Sequence, residues 1–73
     1  DEPLQAALLA MNHDFRTAVL LADVEGMAYD EVAEVMNTSV GTVRSRIHRG
    51  RKQLRDFLRA NSPELFQRCL NEL

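Results

Sequence analysis

Between positions 44 and 59 this chain carries Arg44, Arg46, Arg49, Arg51, Lys52, Arg55 and Arg59, with Asp56 as the one acid among them. Cationic side chains at that density attract phosphate oxygens, and the short residues Gly41, Thr42 and Ser45 at the start of the run let a backbone approach closely. The chemistry on offer is the binding of a polyanion, DNA in the first instance. The rest of the chain has the opposite sign, since positions 1–43 hold eight acids and one base. A formal net charge of −2 therefore conceals two oppositely charged segments. No nucleophile stands in spacing with a base, no glycine loop cradles a phosphate, and no Cys/His spacing suits a metal. The expectation is a binding module, not an enzyme, with no cofactor, metal or small-molecule substrate. His13 reads as a surface or capping residue, and Cys69 as ordinary packing.

Presenting such a surface falls to a small scaffold. Seventy-three residues make one domain at most, and a chain of that size buries only roughly 60% of its unfolded surface. An apolar fraction of 45% with two prolines and three glycines suits a compact helical domain. No apolar run nears the roughly 18 residues of a membrane span, so no membrane insertion is expected. There is no signal peptide either, and the single Cys69, which cannot form an internal disulfide, suits a reducing, cytoplasmic location. The chain opens at Asp1 without a methionine and reads as a piece of a longer protein.

Apolar spacing is helical throughout. Pro3 suits a first turn, with Leu4, Leu8 and Met11 following, and a break is expected near Asn12 and His13. Phe15, Ala18, Val19 and Ala22 mark a second helix whose apolar face Leu20, Leu21 and Val24 widen, which predicts the most buried element, ended by Gly26. Tyr29, Val32, Ala33 and Met36 form the stripe of a third, with Asp30, Glu31 and Glu34 facing water. Asn37 suits a left-handed turn, and Thr38 or Ser39 can cap a fourth helix over about 40–58. At roughly 100° per residue, Val40, Val43, Ile47, Gly50, Leu54, Phe57 and Leu58 share one side of it. Thr42, Ser45, Arg49 and Lys52 lie opposite, Gly41 and His48 beside them, and Arg44, Arg51 and Arg55 flank the stripe. Ser62, Pro63 and Glu64 start a last short amphipathic helix, with Leu65, Phe66, Cys69, Leu70 and Leu73 on its apolar face. The predicted fold is all-α: a four-helix domain with a C-terminal helix-turn-helix over 29–58, plus a short extra helix. The predicted division is a DNA-binding unit at 1–59 and an extension at 60–73.

The wording of three segments adds to this. Phe15-Arg16-Thr17-Ala18-Val19-Leu20-Leu21, Gly26-Met27-Ala28-Tyr29-Asp30-Glu31-Val32-Ala33 and Val40-Gly41-Thr42-Val43-Arg44-Ser45-Arg46-Ile47-His48-Arg49-Gly50-Arg51 closely resemble region 4 of bacterial RNA polymerase sigma factors. The small extracytoplasmic-function (ECF) class is the nearest in wording, over about residues 4–58. That resemblance implies recognition of the −35 promoter element, docking on the β flap of the RNA polymerase core, and control by an anti-sigma factor. It supports groove or base contact by Arg44, Ser45 and Arg49, although the helical wheel alone leaves Arg44 at the edge. Gly41 and Thr42 sit at the entering end, and His48 either stacks on a base or sugar or covers a neighbour. Tyr29, Ser39, Arg46, Arg51 and Lys52 are the candidate phosphate contacts, which set register without naming a sequence. Two positions depart from the family pattern. Ala28 replaces a frequent capping serine, and Gly50 stands where Ala is usual, at a cost of about 1 kcal/mol in helix propensity. Two other readings stay open: a LuxR-type response-regulator output domain binding as a dimer, and a protein-interaction module for an anti-sigma factor or a polymerase subunit.

Overall fold

The computed structural model describes the backbone of residues 2–72 and the side chains of residues 2–68. Five α-helices follow one another: α1 (Glu2–Ala10), α2 (His13–Val19), α3 (Tyr29–Met36), α4 (Val40–Asn61) and α5 (Pro63–Glu72). A π-helical turn, Leu20–Val24, continues α2, and no strand occurs among the described residues. The 22 residues of α4 span about 33 Å at 1.5 Å per residue, which matches the 35 Å long axis of the molecule. This helix packs against α1, α2, α3 and α5 in turn.

Each junction has a local chemical cause. Asn12 ends the first link by accepting the Asp14 N–H at 3.0 Å on its side-chain oxygen, capping α2. Arg16 reaches back to the Leu8 carbonyl at 3.4 Å, tying the end of α1 to α2. In the π turn the Glu25 N–H donates to the Leu20 carbonyl at 3.0 Å, five residues back. Gly26, at φ 72°, then closes the helix, and the Met27 N–H returns to the Leu21 carbonyl at 3.0 Å. Only a residue without Cβ takes that left-handed conformation freely. Asn37 does the same between α3 and α4 at φ 54°, where asparagine is the commonest non-glycine choice.

Ala28 occupies the capping position of α3 and has no side-chain acceptor to offer. Half of a capping box survives, because Glu31 accepts the Ala28 N–H at 2.9 Å. Ser39 does the full work at α4: its hydroxyl oxygen accepts the Thr42 N–H at 3.1 Å, and its proton goes to Thr42 Oγ1 at 2.9 Å. Ser39→Ala is expected to lower stability by about 1 kcal/mol, read as a lower denaturation midpoint. An unchanged midpoint would contradict the capping role.

The core is small and apolar, with no buried polar residue among the described ones. Ala18, Val32, Ala33, Val43 and Ile47 form its centre, with Leu21, Ala22, Met27, Tyr29 and Met36 packed around them. Leu58 is also fully buried, farther along α4. The element burying the most is α4, through Val43, Ile47, Gly50 and Leu58, whereas α2 buries Ala18 and Val19. Relative to length the order reverses: two of the seven residues of α2 are buried against four of the 22 in α4, in line with the expectation that the second helix is the most buried.

Val24 is a correction to the expected apolar face, since it is 69% exposed. At roughly 100° per residue Val24 lies opposite the stripe of Phe15, Ala18, Val19 and Ala22, so even a regular helix turns it outward. Val40 is 36% exposed, so the buried stripe of α4 begins one turn in, at Val43. The fourth helix also runs past 58 to Asn61, and a single residue, Ser62, separates it from α5. Across that joint the Arg59 guanidinium lies 4.9 Å from the centre of the Phe66 ring, a cation–π contact. The expected apolar positions Cys69, Leu70 and Leu73 lie outside the residues whose side chains are described.

Gly50 is where structure departs most from sequence reading. A Cβ there would stand 2.7 Å from Val19 Cγ2, 3.1 Å from the Phe15 carbonyl oxygen and 3.2 Å from Met11 Cε. At this glycine α4 passes close against α2, so it is a packing requirement and not a lapse in helix propensity.

Candidate nucleic-acid interface

The fold buries one side of α4 and leaves the other outside. Gly41, Arg44, Ser45, His48 and Arg49 are all exposed, and they follow one another up the outer face from the capped N-terminus. Among the described residues no ion pair or hydrogen bond engages the side chains of Arg44, Ser45, His48 or Arg49. Their donors are therefore ready for an external acceptor. Gly41 leaves its surroundings open, since a Cβ there would meet only Ser39 Oγ at 3.9 Å. Nothing inside the domain requires glycine at that position. Thr42 is half-buried and its hydroxyl is already engaged by Ser39.

The candidate phosphate contacts fall into a different arrangement. Arg46 leans back toward α2, with its guanidinium 3.8 Å from the Asp14 carboxylate and its side chain 24% exposed. Lys52 donates to Asp56 at 2.8 Å one turn on. That hydrogen bond, with the nearby Arg59 and Arg55, holds the Asp56 carboxyl below the usual range. Arg51 makes a two-pronged contact with Asp23, Nε at 2.9 Å and Nη2 at 2.6 Å. The hydrogen bond to Asp23 raises the Arg51 pKa, against partial desolvation, and Tyr29 acts in the same direction. Exposed pairs of this kind contribute little to stability. They orient cations more than they hold the fold together.

Tyr29 is half-buried, its ring packed against the core at the start of α3. Ser39 is exposed, but its hydroxyl proton is directed to Thr42. The structure thus separates the sequence-predicted residues into two sets. Gly41, Arg44, Ser45, His48 and Arg49 share one open face, whereas Arg46, Arg51 and Lys52 are tied by carboxylates along its edges. Those carboxylates, Asp14, Asp23 and Asp56, are what sequence reading missed as members of the site. Only Asp56, four residues from Lys52 on the same helix, had a local signal.

The exposed face can do two things chemically. Arginine forks can pair with base edges, guanine above all, in a groove wide enough to admit a helix. The remaining cations can neutralise phosphates along the groove walls.

Known proteins match most of this sequence. Residues 1–54 match the family described as Sigma-70, region 4. The "ECF RNA polymerase sigma factor SigE" of Mycolicibacterium smegmatis is 53% identical over 64 residues, 88% of this chain and 25% of that protein. The "ECF RNA polymerase sigma factor SigW" of Bacillus subtilis is 39% identical over 56 residues, covering 77% of this chain and 30% of its own length. The "ECF RNA polymerase sigma-E factor" of Haemophilus influenzae is 49% identical over 41 residues, 56% of this chain and 22% of that factor. The chain spans about a quarter of the length of these relatives. With nearly three-quarters of its residues inside the matched region, the chain belongs to the Sigma-70, region 4 family.

Proposed function

We propose that this domain recognises the −35 element of promoters as part of an ECF-type sigma factor bound to RNA polymerase. The observation that carries the reading is the row of exposed, internally unpaired side chains Arg44, Ser45, His48 and Arg49 on the outer face of α4. In a helix-turn-helix the second helix enters the major groove N-terminal end first. Here that end carries Gly41 and Thr42, small enough for close approach. Arg44, Ser45 and Arg49 read bases, His48 packs on a base or sugar, and Tyr29, Ser39, Arg46, Arg51 and Lys52 set the register on phosphates. Ser39, whose hydroxyl is engaged, takes part through its backbone. Residues 1–59 form the reading unit and 60–73 an extension, whose helix α5 packs against α4.

The domain is a binding module without catalysis, and its place of work is the bacterial cytoplasm, where the polymerase is. Its further partners are the β flap of the core enzyme and an anti-sigma factor. The exposed Leu9, Val24 and Val35 support protein contacts away from the basic face. Among the described residues, no helix is long and apolar enough to cross a membrane.

One helix-turn-helix makes few contacts, so binding through this domain alone is weak and steeply salt-dependent. A footprint of the holoenzyme carrying it is expected over one asymmetric site, present only with polymerase and fading between about 50 and 200 mM salt. Protection of a two-fold symmetric site by the factor alone would instead identify a dimeric operator-binding domain. No protection at any salt concentration would leave the protein-interaction reading.

A further inference from the structure

Asp23 has no role in the reading above, yet its carboxylate is held by both Nε and Nη2 of Arg51, 28 residues away. Asp23 lies inside the π turn Leu20–Val24, four residues on from Val19, which packs on α4 at Gly50, so it stands on the side of α2 that faces the basic helix. The fork leaves both Nη1 hydrogens and the second hydrogen on Nη2 unused. The guanidinium is not sealed off, since the Arg51 side chain is 47% exposed. Tyr29, the first residue of α3, acts on the same guanidinium.

We propose that Asp23 is a positioning residue for DNA binding: it fixes the Arg51 guanidinium at the edge of the basic helix, with the Nη1 donors left to a single backbone phosphate. An unrestrained arginine has many rotamers and must surrender that freedom when it binds. Asp23 removes the freedom in advance. The inference rests on the promoter-binding reading and adds to it an acidic residue that favours binding to a polyanion. Charge alone demands the reverse, because a carboxylate beside a phosphate repels it and its removal should tighten binding. The two accounts therefore differ in sign.

The test uses the full-length factor containing this domain, assembled with core polymerase. The probe is a fluorescent duplex bearing the −35 sequence that the wild-type holoenzyme selects from randomised DNA. Asp23→Ala is expected to weaken binding about three- to tenfold and to make the slope of log affinity against log salt shallower by about 0.9, the loss of one phosphate contact. Arg51→Ala should do the same, and the double variant should bind no more weakly than Arg51→Ala. Asp23→Asn, which keeps one acceptor, should fall between wild type and Asp23→Ala, and it decides the matter if the alanine variant loses helicity. A purely structural role would lower thermal stability and leave the salt slope unmoved. Unchanged or tighter binding by Asp23→Ala, an unmoved slope, or an inert Arg51→Ala would each overturn the proposal. Arg49→Ala separates the two levels. If it weakens binding while the Asp23 variants do not, only the positioning role fails; if it has no effect, the promoter reading fails as well.

Discussion

Arg49→Ala in the holoenzyme is expected to reduce promoter-directed transcription by about 5- to 150-fold, the equivalent of one lost bidentate base contact at about 1–3 kcal/mol. Arg49 is exposed, without an internal partner among the described residues. Its removal should therefore leave stability within about 0.5 kcal/mol of the parent, and the loss cannot be ascribed to unfolding. Arg49→Lys sharpens the experiment. Lysine keeps the charge but lacks the planar fork, so it should restore phosphate-like, salt-sensitive affinity without restoring discrimination among −35 sequences. Transcription from the selected promoter at the parental level in the alanine variant would remove Arg49 from the interface. An equal loss of affinity on every duplex would make it a phosphate contact only.

The second large effect concerns packing. Gly50→Leu is expected to destabilise the domain by more than about 3 kcal/mol, because a bulky side chain must enter where even a Cβ stands 2.7 Å from Val19 Cγ2 and 3.1 Å from a carbonyl oxygen. Against a total stability of roughly 4–11 kcal/mol for a chain this size, that is enough to unfold a large share of it. Equilibrium urea denaturation is the measurement. Gly50→Ala is the subtler case. It gains about 1 kcal/mol of helix propensity, but Val19 is β-branched and stiff at χ1, and the Phe15 carbonyl belongs to a backbone that cannot yield alone. The gain should be cancelled or reversed. Combining it with Val19→Ala should recover it, with a coupling of about 1 kcal/mol or more. A Gly50→Ala variant more stable than the parent and uncoupled from Val19 would show that α2 and α4 can part freely.

Much of this architecture is written locally. Asn12, Gly26, Asn37 and Ser39 each act on neighbours within a few residues, through a side-chain acceptor or a left-handed backbone, so the chain alone reveals the joints they make. The stripe Val43, Ile47, Gly50 and Leu58 follows from helical period, and with it the outward direction of Ser45 and Arg49. The end of α4 was less legible. No local stop stands at Leu58, and the helix continues until the Ser62-Pro63 step interrupts it. Val24 shows that apolar character is not position: at 3.6 residues per turn it lies opposite Phe15, Ala18 and Ala22, and it is exposed.

The candidate site divides in the same way. Sequence identified which cations belong to one helix, and the wheel placed Arg44 only at the edge; the structure finds it exposed and internally unpaired alongside Ser45, His48 and Arg49. Which cations are already held by carboxylates was beyond the sequence. Asp14 and Arg46 are 32 residues apart, and Asp23 and Arg51 are 28 apart; no periodicity connects such pairs.

By itself, the sequence determined the helical elements, their caps and the segregation of charge, since hydrogen bonding and hydrophobic period act over one or two turns. Tertiary structure alone decided which arginines stay open, why position 50 has so little room for a side chain, and how an aspartate in a widened turn reaches the basic helix. Those outcomes depend on the distance and angle at which α2 and α3 meet α4, and such quantities exist only once the helices have packed.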